Sequence, residues 1–226
     1  MLAFHGKQEV KDFYLARAKA HFDADEIIHG HYWEDGKGCA VGCLIHSNSH
    51  SKLANEINIP LEMAYLIDRL FEGMPNGTAK SFPVRFIESI PVGAELDAVM
   101  DRYFLALLSD KEQGVILSAN DRVRQPIQDV IDLFARQVSG QSIPTTGEWR
   151  AAYRAAYRAA YSAAYRAADS AAYSAAYRAA DSAADSAADS AAYRAADRAA
   201  VSTHFIWQSE VLLNLLSTAP VPVPAY

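Results

Sequence analysis

Six of the seven histidines and both cysteines of this chain lie within its first 50 residues. The dense block runs from Ile28 to His50 and contains His29, His31, Cys39, Cys43, His46 and His50, interleaved with Tyr32, Trp33 and Lys37. Imidazole and thiolate move protons, attack electrophilic carbon and ligate transition metals near neutral pH. Any chemistry in this chain is therefore expected between residues 29 and 50.

Several chemistries compete for these residues. As a metal site, Cys39, Cys43, His46 and His50 follow C-x3-C-x2-H-x3-H, offsets that share one face of a continuous helix. On such a helix the end residues are about 16 Å apart, too far for one zinc ion with bonds of about 2.0–2.3 Å. The neighbouring pair His46 and His50 remains the metal candidate, with His29, His31 or Glu56 as further ligands and zinc as the alternative to no cofactor. As a reactive centre, Gly36-Lys37-Gly38 before a helix start places Cys39 near free N–H groups and a lysine, which lower a thiol pKa. His46, three residues after Cys43, is then the candidate base, so Cys39, Cys43 and His46 are the candidate catalytic residues. The same glycine-rich turn matches an anion cradle loosely, and it is no P-loop because Gly-Lys is followed by Gly. As a ligand pocket, His29, His31, Trp33 and Lys37, with Tyr32, suit a phosphorylated or aromatic small molecule. As plain packing, Gly38, Cys39, Ala40, Gly42 and Cys43 are the small residues a helix needs at a close crossing.

The elements that must position these residues read as helices. Val10, Phe13, Tyr14 and Ala18 form one face between Glu9 and about Phe22. Pro60 suits a helix start, Met63, Leu66, Ile67, Leu70 and Phe71 continue with helical spacing, and Gly73 and Pro75 stop it. The pattern recurs at Leu96, Val99, Met100, Tyr103, Phe104, Leu107 and Leu108. After Pro126 it returns at Ile127, Val130, Ile131, Phe134, Ala135 and Val138. No segment alternates with period two, so the expected class is all-α: a compact N-terminal multi-helix domain followed by one very long alanine-rich helix.

The expected partition is 1–144, 145–219 and a proline-rich tail at 220–226. Residues 139–147 cluster Ser, Gly, Pro and Thr as a linker, and Thr145 with Glu148 has capping-box spacing, which starts a helix. From Ala151 to Ala200 the chain repeats Ala-Ala-x-x, where x-x is Tyr-Arg, Tyr-Ser, Asp-Ser or Asp-Arg. Alanine has the highest helix propensity, and neither Gly nor Pro interrupts the chain between Glu148 and Pro220. Asp181, Asp185 and Asp189 are the weak stretch, yet like charges four apart cost only a few tenths of a kcal/mol, about ~0.2–0.5 per pair. A continuous helix of about 70 residues is about 105 Å long. Each repeat advances about 400°, so the alanine stripe winds right-handedly and circles the helix in about nine repeats. Such a stripe suits self-association; the bland alternative is a spacer. An ice-binding role is not expected, because the repeat contains no threonine array. Beyond the repeat, Val201, Phe205, Ile206, Leu212, Leu213 and Leu216 need a partner surface, either the N-terminal domain or a second chain.

The net charge of −6 gives no field toward nucleic acid or anionic lipid. No apolar run is long enough to span a membrane, the first residues lack a signal-peptide pattern, and two cysteines four apart make no secreted disulfide framework. The cytoplasm is the expected location.

Gly30-His31-Tyr32-Trp33, Gly36-Lys37-Gly38-Cys39-Ala40-Val41-Gly42-Cys43, then His46 and His50, and Ile59-Pro60 through Phe71-Glu72-Gly73-Met74-Pro75-Asn76 resemble an uncharacterised family of phage and bacterial proteins. That family carries alanine-rich C-terminal repeats of varying length. The resemblance implies a phage or prophage accessory protein acting on a host pathway, and brings no catalytic residue with it. The expectation is a binding protein rather than an enzyme: it recognises a host protein or small ligand, possible as counter-defence, and homo-oligomerises through the alanine helix. A Cys/His or metal-dependent enzyme and a structural rod are the alternatives.

Overall fold

The computed structural model describes residues 1–152, 154, 155, 158 and 185–223, with backbone alone at residue 122 and at 185–200. The described chain is mainly helical. The long alanine helix expected from Ala151 to Ala200 falls largely outside the described residues. Its described C-terminal part belongs to a helix over Asp185–Ser217. Among the described residues no helix is long and apolar enough to cross a membrane.

Two compact units form. The first comprises the described residues of Met1–Tyr103 and Ala200–Tyr226, so the apolar C-terminal turns belong with the N-terminal domain. This division differs from the expected partition at 144 and 219. Burial supplies the reason: Leu212 and Leu216 are fully buried, each worth about 1.5–3 kcal/mol relative to exposure. Arg85 fixes the same segment with two hydrogen bonds to the Glu210 carboxylate at 2.7 and 2.8 Å. Tyr103 donates to Gln208 at 3.1 Å. Gly73 faces the ring of Phe205 so closely that any Cβ there would overlap it.

The first unit starts with α1 (Gln8–Asp23), which buries Tyr14, Ala18 and His21. Phe13, expected on the buried face, is 52% exposed; its ring instead carries the Arg17 guanidinium, 4.4 Å from the centroid. Next comes a two-residue antiparallel hairpin, β1 (Trp33–Glu34) and β2 (Lys37–Gly38). It corrects the all-α expectation in detail. Asp35 and Gly36 both have positive φ, 50° and 82°, the arrangement in which Asp-Gly makes the tightest hairpin turn. Four helices follow: α2 (Ala40–Ile45), α3 (His50–Ile57), α4 (Leu61–Gly73) and the short α5 (Asn76–Ala79). α6 (Phe82–Ser89) packs against α1, and α7 spans Val99–Ser109. Phe4, Phe71, Phe82, Phe86 and Tyr103 fill the core.

The second unit contains α8 (Asp121–Val138). It begins five residues before Pro126, which lies inside the helix. Phe134 lies between Phe104 and Trp149, with ring centroids 5.7 and 4.8 Å away. The capping box forms as expected. Glu148 N donates to Thr145 Oγ1 at 3.2 Å, Thr145 N donates to the Glu148 carboxylate at 2.7 Å, and residues 146–152 are helical. The Thr145 amide, first among its donors, and Arg136 hold the Glu148 carboxyl at about 2. The last long helix, α9, spans Asp185–Ser217.

Candidate functional site

Residues 39 to 50 do not form one helix. His46 caps the C-terminus of α2 in the left-handed conformation, φ 49°, and α3 starts four residues later at His50, capped by Ser49. The break sends the two imidazoles to different partners, giving two histidine centres in the first unit.

The first centre gathers residues from α1, the loop after it, β1 and the end of α2. His21 sits on the buried face of α1, three and seven residues from Ala18 and Tyr14. Its Nδ1 is 2.6 Å from Glu26 Oε2, and its Nε2 is 2.8 Å from His46 Nε2. Glu26 accepts only, so His21 Nδ1 carries a proton, and one further proton bridges the two Nε2 atoms. The His46 ring stacks on Trp33 with centroids 4.3 Å apart and planes 10° from parallel. Burial lowers the His46 pKa below its ordinary 6.5, helped by the nearby cations Arg17 and Lys52 and by His21. His46 is therefore neutral at pH 7.

The second centre is built on α4. His50 Nε2 lies 3.1 Å from Asp68 Oδ2, and the His50 ring stacks on Tyr65 at 4.4 Å. Tyr32 makes a T-shaped contact with the same ring, with centroids 6.0 Å apart. Asp68 Oδ1 is buried, and the Cys39 thiol hydrogen-bonds the Asp68 carboxylate. One turn further along α4, both oxygens of Glu72 accept the Gly30 amide proton at 3.0–3.1 Å. His29 donates from Nε2 to the Phe71 carbonyl at 3.0 Å, fastening the same loop to α4. Gly30, His31, Tyr32, Asp68 and Glu72 line a cavity of about 240 Å³.

Between the two centres runs a tight scaffold. A Cβ on Gly38 or on Gly42 would overlap the Tyr32 carbonyl oxygen. The Cys39 amide donates to the carbonyls of His31 and Tyr32 at 2.6 and 3.2 Å, and the Gly38 amide to Glu26 O at 3.1 Å. Consecutive Tyr32 and Trp33 thus place one ring at each centre.

This geometry sorts the residues singled out by type. The glycine-rich turn spends the Gly38 and Cys39 amides on backbone carbonyls, so they are not free to cradle an anion. The expectation of lowered thiol pKa values is corrected: burial pushes both Cys39 and Cys43 up to about 12, with Asp68 and Glu26 respectively adding to it. Cys39 Sγ accepts from Gly42 N at 3.4 Å as the cap of α2, and Cys43 Sγ donates to Gly38 O at 3.3 Å. Both behave as small packed residues. His46 is hydrogen-bonded to His21 rather than to Cys43. His46 and His50 belong to separate centres, not to a shared chelate. Of the ligand candidates, His31 lines the cavity and His29 anchors its rim. Trp33 belongs to the first centre, and Lys37 stands opposite Glu34 in the hairpin.

Sequence reasoning missed His21, Glu26, Asp68 and Glu72. A histidine in register with Tyr14 and Ala18 on an apolar face was the available signal for His21. For Asp68 and Glu72 it was two carboxylates four residues apart on one helix. No family model matches this chain, and neither a curated protein nor a solved structure matches it.

Proposed function

We propose that this chain is a binding protein whose first unit recognises a ligand group at the cavity between the loop 30–32 and α4. The observation that carries this reading is the cavity itself: two carboxylates and two aromatic or imidazole rings converge on about 240 Å³. Small sites of this kind combine an apolar or aromatic wall with a few convergent polar groups. The resemblance described above supports a phage or prophage accessory role in the cytoplasm of a bacterial host, directed at a host protein or small molecule, with counter-defence as one form of it. The alanine repeat forms one long helix in this reading and drives homo-oligomerisation, because paired alanines allow close backbone approach along a right-handed stripe. No cofactor is required.

Native mass spectrometry of protein purified from cells without chelator tests the proposal. An oligomer, or a co-purified small-molecule adduct lost on substitution in the cavity, supports it. A ligand-free monomer whose assembly is indifferent to removing four or eight repeat residues sinks the oligomerisation and leaves a spacer.

One observation favours a second reading, an enzyme centred on His46. Glu26, His21 and His46 form a hydrogen-bonded chain ending at an exposed neutral imidazole, the order in which a carboxylate orients a histidine for proton transfer. Loss of a hydrolytic activity in His46→Ala with folding intact identifies this alternative; zinc dependence of that activity identifies its metal form.

A further inference from the structure

We infer that the cavity takes a guanidinium group, presented either by an arginine side chain of a partner or by a small guanidine compound. The inference rests on the binding reading above and specifies the chemistry of its ligand.

Charge is the first argument. Two carboxylates, Asp68 and Glu72, line the cavity, and none of its lining residues is a lysine or arginine. Arg69, the intervening basic residue on α4, is exposed and acts electrostatically on Tyr103. An anion would meet two negative groups here, and the nearest backbone donor, Gly30 N, is already spent on Glu72. The phosphorylated ligand suggested by residue types alone is thus disfavoured at this place.

Hydrogen-bonding capacity is the second. Asp68 Oδ2 is engaged by His50, and the Cys39 thiol meets the same carboxylate, so Asp68 contributes chiefly its charge and Glu72 the free acceptor capacity. Glu72 retains lone pairs beyond the two that share the Gly30 proton. Carboxylates one helical turn apart are spaced about 5–6 Å at Cβ. A planar fork with five donors can bridge them, whereas a compact ammonium satisfies one at a time.

Shape is the third. A cavity of about 240 Å³ lies below the range of about 300–1,000 Å³ usual for whole small-molecule ligands, and so suits one side-chain-sized group. Tyr32 lines it with a ring that is 53% exposed, a surface on which guanidinium stacks favourably.

The test follows backbone amide shifts of the full chain, reading Gly30, Tyr32 and Glu72 during titration with Nα-acetyl-arginine amide. The neutral isostere Nα-acetyl-citrulline amide, phenyl phosphate and a Gly-Arg-Gly peptide are titrated in parallel. The expected result is a saturable shift with the arginine compounds and binding about tenfold or more weaker for citrulline, the loss of the charged interactions. Glu72→Gln, which keeps an acceptor for Gly30 N, is expected to weaken arginine binding by about fivefold to tenfold while the remaining spectrum is unchanged. Asp68→Asn provides a second variant on the other carboxylate. Tighter binding of the peptide than of the amide identifies a protein partner as the source, and the reverse identifies a small molecule. Equal binding of citrulline, or saturable shifts with phenyl phosphate alone, overturns the guanidinium and leaves the cavity as a binding site. No shift with any probe in a folded sample overturns both.

Discussion

The two histidine centres of the first unit are built from the same parts and end differently. Each pairs an imidazole with a carboxylate and packs a ring against an aromatic side chain. At the first, Glu26 holds His21, His21 holds His46, and Trp33 covers His46, so the chain of hydrogen bonds runs out to the surface. At the second, His50 holds one oxygen of Asp68, and the carboxylate lines a cavity together with Glu72.

The largest effect should come from breaking what the centres share. Gly42→Ala drives a methyl into the Tyr32 carbonyl, and backbone cannot swing aside as a side chain does. A loss of about 3 kcal/mol or more is expected, measured as a lower urea midpoint. Retention of the wild-type midpoint would show that the scaffold between the centres is not tight.

Next in size is the second centre. His50→Ala removes the partner of a carboxylate whose side chain is 17% exposed, at a cost of about 3 kcal/mol. Adding Asp68→Asn should recover part of that loss, because the stranded charge is gone. Strict additivity of the two substitutions, read from the same denaturation curves, would show that the pair does not interact.

The equivalent change at the first centre should be milder. Glu26 is 32% exposed at its side chain, so water replaces part of what it gives. Glu26→Gln is expected to cost about 1 kcal/mol. A loss matching that of His50→Ala would remove the distinction drawn between the centres.

The smallest effect is a shift in titration. His46 should titrate below 6.5 when its ring protons are followed by NMR against pH. Because its folded pKa is depressed, its contribution to stability is complete above the unfolded value near 6.5. That contribution fades as pH falls through the folded value. Trp33→Ala uncovers the ring and should move the midpoint upward toward 6.5, since burial is the main cause of the depression.

Much of the helical framework was legible from residue spacing. The face Met63, Ile67, Leu70 and Phe71 is buried as its period requires, and Thr145 with Glu148 caps a helix as their spacing requires. The hairpin was not read from the sequence, because a four-residue ladder is too short to show alternation. The candidate site was legible in place and not in membership. The block 29–50 does contain His31 and Tyr32, yet its carboxylates come from α4 and its hidden histidine from α1. The Gly36-Lys37-Gly38 turn suggested a reactive thiol at Cys39, whereas both cysteines are buried in the structure.

Sequence alone determined the local features of this protein: its helical period, its capping box and its alanine repeat. These depend on propensities and hydrogen bonds within a few residues of each other. Only the tertiary structure decided that His46 and His50 part company, that His21 joins Glu26 and His46, and that Asp68 and Glu72 meet the loop 30–32 around one cavity. Those outcomes depend on how separate helices cross, and a left-handed residue at His46 or a carbonyl pressed against Gly42 redirects side chains that spacing alone would have grouped together.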